Sequence, residues 1–247
     1  MDTPLFELRN TSFSAQDKAI VQDVSCTFAE GQTTALIGPS GGGKSTVLKL
    51  TAGLIVPTGG LVLYRGHNIS TLNRARTLAF RKEASVVFQD SALWANQTIR
   101  QNLELPLKVH FPHLPAGERG SRIDEVVAEV GYRKALDIRP SQLSMGEQKL
   151  IGFARAMICG AKILFLDEWT ESLDDSAARR LVDIVRKRQE AGNTIIFVSH
   201  NYGTIKELAQ NICMIVDGKL RLTVTREEFI RNGSLAKTIE EGLANEV

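Results

Sequence analysis

Cysteine and histidine are scarce in this chain of 247 residues. Its three cysteines, Cys26, Cys159 and Cys213, stand far apart and include no Cys-x-x-Cys pair, which excludes the usual disulfide and zinc-binding frameworks. We therefore expect small, buried apolar thiols in a reducing compartment. Of the four histidines, His110 and His113 share a proline-bounded stretch without a third ligand, so we expect no metal site there.

A bias toward charge of one sign is also absent. Thirty basic residues nearly balance 28 acidic ones, and the net charge of +2 gives no reason to expect nucleic acid or an anionic membrane surface as a partner. The basic clusters 179–180 and 186–188 are typical of the solvated face of a helix. With 43% hydrophobic and 23% charged residues, the composition excludes a disordered or collagen-like chain.

Long hydrophobic runs are missing as well. The most apolar stretches, such as 163–166 and 194–198, are far shorter than the roughly 20 residues that a membrane-spanning helix needs. The sequence opens with Met1-Asp2-Thr3-Pro4, which has neither the charged nor the apolar region of a signal peptide. These absences predict a soluble, cytosolic chain.

The periodicity of apolar residues predicts both strands and helices. Residues 4–36 alternate between apolar and polar, as strands with one solvated face do, and a turn is expected at Glu30-Gly31. Apolar residues recur at helical spacing over 123–130, 145–158 and 181–185, and the last of these helices should end near Gly192. Three prolines predict an irregular connection over 105–118.

Three continuous apolar runs predict strands that are buried on both faces, as in a parallel sheet. They end at residues 37, 166 and 198, and they lead into Gly38, into Asp167-Glu168 and into Ser199-His200. Ligands of open α/β sheets bind at the carboxyl ends of such strands. We therefore expect a glycine-rich loop, two carboxylates and a histidine at one edge of one sheet.

The glycine-rich loop matches the pattern of a phosphate-binding loop, Gly-x4-Gly-Lys-Ser. Its glycines let backbone N–H groups approach a phosphate closely, and the lysine would neutralise the β- and γ-phosphates. The serine would offer its hydroxyl to Mg²⁺, and the following helix would add its N-terminal dipole. The alternative is a glycine-rich turn before an ordinary helix. The predicted nucleotide-binding residues are Gly38, Pro39, Ser40, Gly41, Gly42, Gly43, Lys44, Ser45 and Thr46.

Asp167 and Glu168 have distinct predicted roles. Asp167, at the end of a buried strand, stands where such sheets place a Mg²⁺ ligand. Glu168 would point elsewhere and could orient or deprotonate an attacking water. The pair could equally cap a helix, but its position beside the phosphate-binding loop favours catalysis.

Further motifs give the sequence a family resemblance over about residues 5–230. Leu-Ser-Met-Gly-Glu at 143–147 resembles the signature sequence of ABC (ATP-binding cassette) ATPases. Gln89 resembles the Q-loop of that family, 172–174 resembles its D-loop, and His200 resembles its switch histidine.

The resemblance implies an α/β fold, a P-loop NTPase of the ABC type with a mostly parallel core sheet, an antiparallel β subdomain and an α-helical subdomain. It also implies a single ATPase domain over 1–247. Residues 1–90 and 158–230 would form the ATP-binding core, 91–157 the helical subdomain with the signature motif, and 231–247 a short C-terminal tail.

The same resemblance implies ATP and Mg²⁺ as ligands and a second ATPase subunit, in the simplest case an identical chain. Two copies would enclose two ATP molecules head to tail. Ser144 and the N–H of Gly146, at a helix N-terminus, would meet the γ-phosphate of the ATP bound by the partner's loop. Hydrolysis would open this dimer, and new ATP would close it.

The resemblance also assigns catalytic and metal-binding roles. Glu168 would be the base, His200 would hold the γ-phosphate and Glu168 in position, and Gln89 would contact the attacking water. Mg²⁺ would be bound by Ser45, Gln89 and Asp167.

The leading hypothesis is therefore an ATPase subunit that drives transmembrane permease subunits on a separate chain. It would lie on the cytoplasmic face of the inner or plasma membrane, with 89–118 facing the permease and without nucleic acid as a partner. The pattern around Gln89, Asn102 and Pro106 loosely resembles the lipid-trafficking (Mce- or Mla-like) branch, and several importer-like branches share it. Two alternatives are a non-transport ABC ATPase that acts as an ATP-driven switch and a small-molecule kinase.

Four positions depart from the family pattern. Ala15 stands where an aromatic usually stacks on adenine, and Phe13 nearby is expected to face the buried side of its strand. Trp169 replaces a proline after Glu168, and we expect it to fill that space as a buried ring. Met145 and Glu147 replace a glycine and a glutamine of the signature motif, and Met145 should weaken dimer closure more than it changes the site.

Overall fold

The computed structural model describes residues 4–231. The predicted tail 231–247 thus lies, apart from Arg231, outside the described residues. Ten strands occur in the described part: β1 (Phe6–Ala15), β2 (Lys18–Phe28), β3 (Thr33–Ile37), β4 (Gly59–Tyr64), β5 (His67–Asn68), β6 (Ala84–Val87), β7 (Ile163–Asp167), β8 (Thr194–Val198), β9 (Asn211–Val216) and β10 (Lys219–Thr225). The α-helices there are α1 (Lys44–Thr51), α2 (Arg74–Glu83), α3 (Ile99–His110), α4 (Ala116–Val130), α5 (Met145–Met157), α6 (Asp175–Glu190), α7 (Tyr202–Leu208) and α8 (Arg226–Arg231).

The chain divides into two compact units. The first, which we call the terminal unit, contains Met1–Thr77 and Gly192–Val247, and the second, the middle unit, contains Leu78–Ala191. The predicted single domain, with its ATP-binding core, helical subdomain and tail, is a different kind of division, and its bounds stay a prediction. Between residues 4 and 231, no helix is long and apolar enough to cross a bilayer.

The terminal unit contains an antiparallel sheet and a mostly parallel one. Strands in the order β2-β1-β4-β5 form the antiparallel sheet, and β10, β9, β3 and β8 lie side by side in the other. β3 pairs in parallel with both β8 and β9, whereas β10 pairs antiparallel with β9. Every residue of β3 and β8 is buried, as the continuous apolar runs predicted.

The middle unit holds the parallel pair β6 and β7 and four longer helices, α3, α4, α5 and α6. β7 is buried along its whole length, as predicted. The predicted ends of α5 and α6 agree with the structure to within two residues.

The prediction of an irregular connection over 105–118 is wrong for most of its length. Residues 105–110 belong to α3 and 116–118 to α4, so only 111–115 are irregular. A capping box between Thr98 and Gln101 starts α3, and Pro106 lies inside it. The cap and the buried face of α3 outweigh the hydrogen bond that a proline in a helix removes.

Three expectations about burial have different outcomes. Trp169 is fully buried, as expected of a ring that fills space. Phe13, however, is only half-buried, because the register of β1 shifts on either side of it. Cys213 is buried but Cys26 and Cys159 are partly exposed, so the prediction of three buried thiols is wrong for two. Burial nevertheless raises the pKa of all three thiols, that of Cys159 to about 11.

Candidate nucleotide-binding site

The glycine-rich loop joins β3 to the N-terminus of α1. Gly43 is the N-cap of α1, with φ 99°, and no side chain caps this end. The ammonium of Lys44 is buried, and it donates hydrogen bonds of 2.7 Å to the carbonyl oxygens of both Gly38 and Pro39. The loop therefore curls around the lysine at an uncapped helix N-terminus, the arrangement that binds phosphate in other folds.

Backbone packing explains why most of the loop is glycine. A Cβ on Gly38 would overlap the Ile215 carbonyl group, and one on Gly43 would lie 2.8 Å from the Ile20 carbonyl oxygen. A Cβ on Gly42 would lie 2.8 Å from the Pro39 oxygen. Real Cβ atoms do not approach backbone this closely, so these three positions exclude every other residue.

The turn between β9 and β10 contacts the loop, and the sequence analysis did not predict this contact. Gly218 donates a 2.9 Å hydrogen bond to the Gly42 carbonyl, and its own carbonyl accepts one from Gln22. Asp217 and Gly218 both have positive φ and form the two-residue turn between β9 and β10. The Asp-Gly pair between two apolar runs is a hairpin signal, so the turn could have been predicted, whereas its contact with Gly42 could not.

His200 lies on the same edge as the loop. β3 and β8 are parallel neighbours, with Leu36 opposite Val198, so the segments that follow them begin side by side. His200 is half-buried in the turn between β8 and α7. The Asn201 side chain fixes this turn by accepting a hydrogen bond from the Thr204 N–H and so capping α7.

Within the middle unit, Gln89, Asp167 and Glu168 also share an edge. β6 and β7 are parallel and place Val87 opposite Leu166. Both carboxylate residues are buried, with Asp167 2% and Glu168 9% exposed, and Gln89 is exposed. Within the terminal unit the loop and His200 thus share an edge, as predicted, and within the middle unit Asp167 and Glu168 share an edge with Gln89, which was not part of the predicted group.

A buried lysine, missed by the sequence analysis, completes this set. Lys149 on α5 is 6% exposed and donates a 2.7 Å hydrogen bond to the carbonyl oxygen of Glu168. Its Nζ also lies 3.8 Å from Glu171, whose carboxylate accepts a 3.2 Å hydrogen bond from Gln89. Burial lowers the pKa of Lys149, and nearby carboxylates oppose that shift. Glu168 itself adopts φ 45°, a left-handed conformation that costs energy outside glycine.

Ser144 caps α5 through a reciprocal capping box. Its hydroxyl accepts a hydrogen bond from the Glu147 N–H, and the Glu147 carboxylate accepts one of 2.9 Å from the Ser144 N–H. The ammonium of Lys134 lies 2.7 Å from the same carboxylate. The hydrogen bond from Lys134, followed by that from Ser144, lowers the pKa of Glu147. Met145 is 70% exposed beside this cap, and a Cβ on Gly146 would lie 3.3 Å from the Ser172 oxygen.

Each unit by itself carries donor groups of the kinds that a nucleoside triphosphate and Mg²⁺ attract. In the terminal unit, Lys44 and an uncapped helix N-terminus supply positive charge for phosphates, and Ser45 offers a hydroxyl oxygen. In the middle unit, Gln89 and Asp167 offer hard oxygen donors of the kind that Mg²⁺ prefers. In the part of the chain that the structure describes, no cluster of three or more histidine, cysteine, aspartate or glutamate side chains is placed to hold a metal. Mg²⁺ usually completes its shell with phosphate and water instead of an all-protein cage.

Comparison with known families decides the identity of the fold. The sequence model described as ABC transporter matches residues 21–171, which is more than half of the chain. The chain belongs to the ABC transporter family. The family resemblance found in the sequence is confirmed, and so is the α/β fold of the ABC type. The chain is thus an ATP-binding cassette of the ABC family, a family of ATPases.

Relatives and solved structures agree with this family. The chain is 34% identical over 222 residues to the methionine import ATP-binding protein MetN of Cereibacter sphaeroides, covering 87% of this chain but only 62% of that protein. It is 34% identical over 212 residues to the nickel import ATP-binding protein NikE of Shigella flexneri, covering 84% of this chain and 79% of that protein. A dimeric ATP-binding cassette in a post-hydrolysis state, with ADP and phosphate bound, superposes with a TM-score of 0.83 at 26% identity, over 90% of this chain and 98% of that one.

Proposed function

We propose that this chain is the ATP-hydrolysing subunit of an ABC importer and that it drives a separate membrane permease. The observation that carries the proposal is the phosphate-binding loop, in which Lys44 and the N-terminus of α1 stand together behind β3. The names of the two relatives support import as the direction of transport. They do not support the lipid-trafficking branch, because they refer to methionine and nickel.

The residue roles in this proposal follow from chemistry and position. Lys44 would bind the β- and γ-phosphates, and Ser45, Gln89 and Asp167 would hold Mg²⁺, which neutralises phosphate charge when bound. Glu168 would accept the proton of the attacking water at its carboxylate, and His200 would orient the γ-phosphate. The hydrogen bond from Lys149 to the Glu168 carbonyl supports this assignment, because it fixes the residue that must act as base.

We further propose that the active form is a dimer of cassettes in which Ser144 and Gly146 of one copy meet the nucleotide of the other. The dimeric state of the ADP-bound cassette supports two copies. The exposure of Ser144 and Met145 at the N-terminus of α5 supports a contact there. A homodimer is the simplest form of this proposal.

An apolar surface of the middle unit supports a protein partner in the membrane. Trp94 is 46%, Leu105 37% and Val109 54% exposed, and Trp94 and Leu105 border a depression of about 440 Å³. An exposed cluster of large apolar residues typically marks an interaction site. We propose that this surface binds the permease and so holds the chain at the cytoplasmic face of the membrane.

A pull-down from detergent-solubilised membranes tests the proposal. The bait is a tagged Glu168→Gln chain with Mg-ATP, because it should bind ATP and hydrolyse it poorly. Lys44→Ala, which should not bind ATP, is the matched control. Stoichiometric capture of an integral membrane protein is the expected result. Recovery of the chain alone or with soluble proteins only would favour an ATP-driven switch without transport.

A further inference from the structure

The segment after Gln89 holds a strained backbone. Ser91 and Ala92 both adopt left-handed conformations, with φ of 63° and 45°. Successive non-glycine residues in this conformation are strained and persist only where their surroundings fix them. The surroundings that fix them lie on α5.

Two residues of α5 meet this turn directly. The Arg155 guanidinium donates hydrogen bonds of 2.7 Å to the Ala92 oxygen and 3.0 Å to the Ser91 oxygen, and it lies 5.4 Å from the Trp94 ring centre. Gly152, one turn earlier, lets the turn approach closely, because a Cβ there would lie 3.1 Å from both the Ser91 Cβ and the Ser91 oxygen. The forked Arg155 guanidinium thus binds two successive carbonyl oxygens of the turn, and the absence of a side chain at Gly152 leaves room for the same turn.

A third residue of α5 fixes the other catalytic segment. Lys149, three residues before Gly152, donates to the carbonyl of Glu168, which also has positive φ. The helix that begins after Ser144 therefore contacts the strained turns on both sides of the candidate site in the middle unit.

We propose that Arg155 and Gly152 are positioning residues that set the location of Gln89. In this proposal α5 links the Gln89 segment, residues 89–94, to the turn at Glu168 and keeps the two at a fixed relative position. The inference rests on the proposed roles of Gln89 and Glu168. A shift of α5 would move both segments together. It would also act on Trp94, because the Arg155 guanidinium lies over the Trp94 ring. The far end of the segment is held on α3, where the Asn102 side chain accepts a 2.8 Å hydrogen bond from the Trp94 N–H.

Hydrogen exchange tests, without reference to activity, whether Arg155 holds the turn at Ser91 and Ala92. Arg155→Lys keeps the charge but loses the forked donor. We expect the amides of Ser91 and Trp94, which bond to Phe88 and to Asn102, to exchange about tenfold faster in this variant. The matched control is Arg119→Lys, since Arg119 also holds a loop carbonyl, that of Leu114, elsewhere in the same unit. Unchanged protection in Arg155→Lys would overturn the proposal.

Kinetics then test the consequence for the site. Arg155→Lys should lower kcat about 10-fold or more with KM for ATP changed by no more than about twofold, because misplacing a group affects the reacting geometry more than binding. The double variant with Gln89→Ala should be no worse than Gln89→Ala alone.

Multiplicative losses in the double variant, or an equal loss in Arg119→Lys, would overturn the positioning role. A wild-type chain without ATPase activity, or a fully active Gln89→Ala chain, would contradict the proposed function itself and remove the basis of the inference. The exchange result separates these cases, since it reports only on whether Arg155 holds the turn at Ser91 and Ala92.

Discussion

At the scale of single residues, close backbone contacts explain why three positions of the phosphate-binding loop are glycine. Gly38, Gly42 and Gly43 face carbonyl groups that leave no room for a Cβ, whereas a Cβ on Gly41 would meet nothing within 4 Å. Gly41 is restricted only by its φ of 71°. The four glycines therefore differ in what they tolerate.

This difference gives a first prediction. Gly38→Ala should destabilise the fold by about 2–4 kcal/mol, because its Cβ collides with the backbone of β9. Gly41→Ala should cost only about 1 kcal/mol, the strain of a left-handed alanine. Urea unfolding of both variants, compared with the wild type, measures the two costs. Equal losses would contradict the packing explanation.

Ala15 leads to a second prediction, about the choice of nucleotide. It is half-buried at the end of β1 and offers no ring to a base. A ring would stack on either base, so its absence weakens both nucleotides alike, and we expect ATP and GTP to bind within about tenfold of each other. Ala15→Tyr should tighten ATP binding by about 1–3 kcal/mol, the value of one stacking contact.

Competition binding with a fluorescent nucleotide measures both effects, and Ala15→Leu is the control for added apolar surface without stacking. A large preference of the wild-type chain for ATP would show that another group already recognises adenine.

The residues that the sequence could predict are those whose role lies in a local pattern. Lys44 follows six residues of a phosphate-loop motif, and Asp167 ends an apolar strand. Lys149 and Arg155 act on segments far away in sequence, so no local pattern distinguishes them from other cations of a helix. Their assignment required the packing of α5.

At the scale of elements, the start of α5 carries an ion pair that the usual glutamine of this motif would not make. Glu147 accepts from the Ser144 N–H and pairs with Lys134. A carboxylate in the first turn also interacts favourably with the helix dipole. The pair lies near the surface, so we expect a contribution below about 1 kcal/mol.

The lowered pKa of Glu147 sets the pH dependence of this contribution. A carboxyl whose pKa is lower in the folded chain than its ordinary 4.5 stabilises the fold above that value. The stabilisation disappears as the pH falls through the lowered pKa. Glu147→Gln, which keeps the capping geometry, should thus be less stable than the wild type at pH 7 but equal to it at the lowest pH where both stay folded.

Urea unfolding at several pH values tests this prediction. Lys134→Met should reproduce the loss at pH 7, and the double variant should add nothing, because both changes remove one pair. A difference between the wild type and Glu147→Gln that stays constant with pH would mean that the ion pair contributes nothing.

Strands and helices were predicted well where a buried apolar run determines them, and poorly where side-chain hydrogen bonds at a helix end determine them. β3, β7 and β8 are five-residue strands built on continuous apolar runs, and every residue in them is buried. In α3, by contrast, Pro106 suggested a break, yet the side chain of buried Asn102 bonds to the Trp94 and Thr98 carbonyls and holds the helix start. Such a side-chain anchor gives no periodic signal.

At the scale of the whole molecule, the family motifs predicted the fold and the kinds of partner, a second ATPase subunit and a membrane permease, but not the surface that a partner would contact. The sequence analysis placed residues 89–118 toward the permease, and the structure adds that Trp94 and Leu105 within this range are exposed beside one depression. Assembly with a second copy, however, can be tested with this chain alone.

We predict that ATP doubles the mass of the Glu168→Gln chain in solution. The variant should keep the phosphate-binding loop intact while it removes the base, so bound ATP should persist and hold two copies together. Light scattering after size-exclusion chromatography, with and without Mg-ATP, measures the change. Lys44→Ala in the same background should stay monomeric with ATP, because it lacks the charge that binds the phosphates.

The exposed signature motif allows a sharper form of this prediction. Met145 is 70% exposed next to Ser144, at the place where the family pattern has glycine. If copies meet there, Met145→Gly should strengthen the ATP-dependent dimer, because it removes a side chain where backbone must approach nucleotide closely. Met145→Arg should abolish the dimer without loss of ATP binding to the single chain. A dimer that forms equally in all three chains would show that the copies associate through another surface.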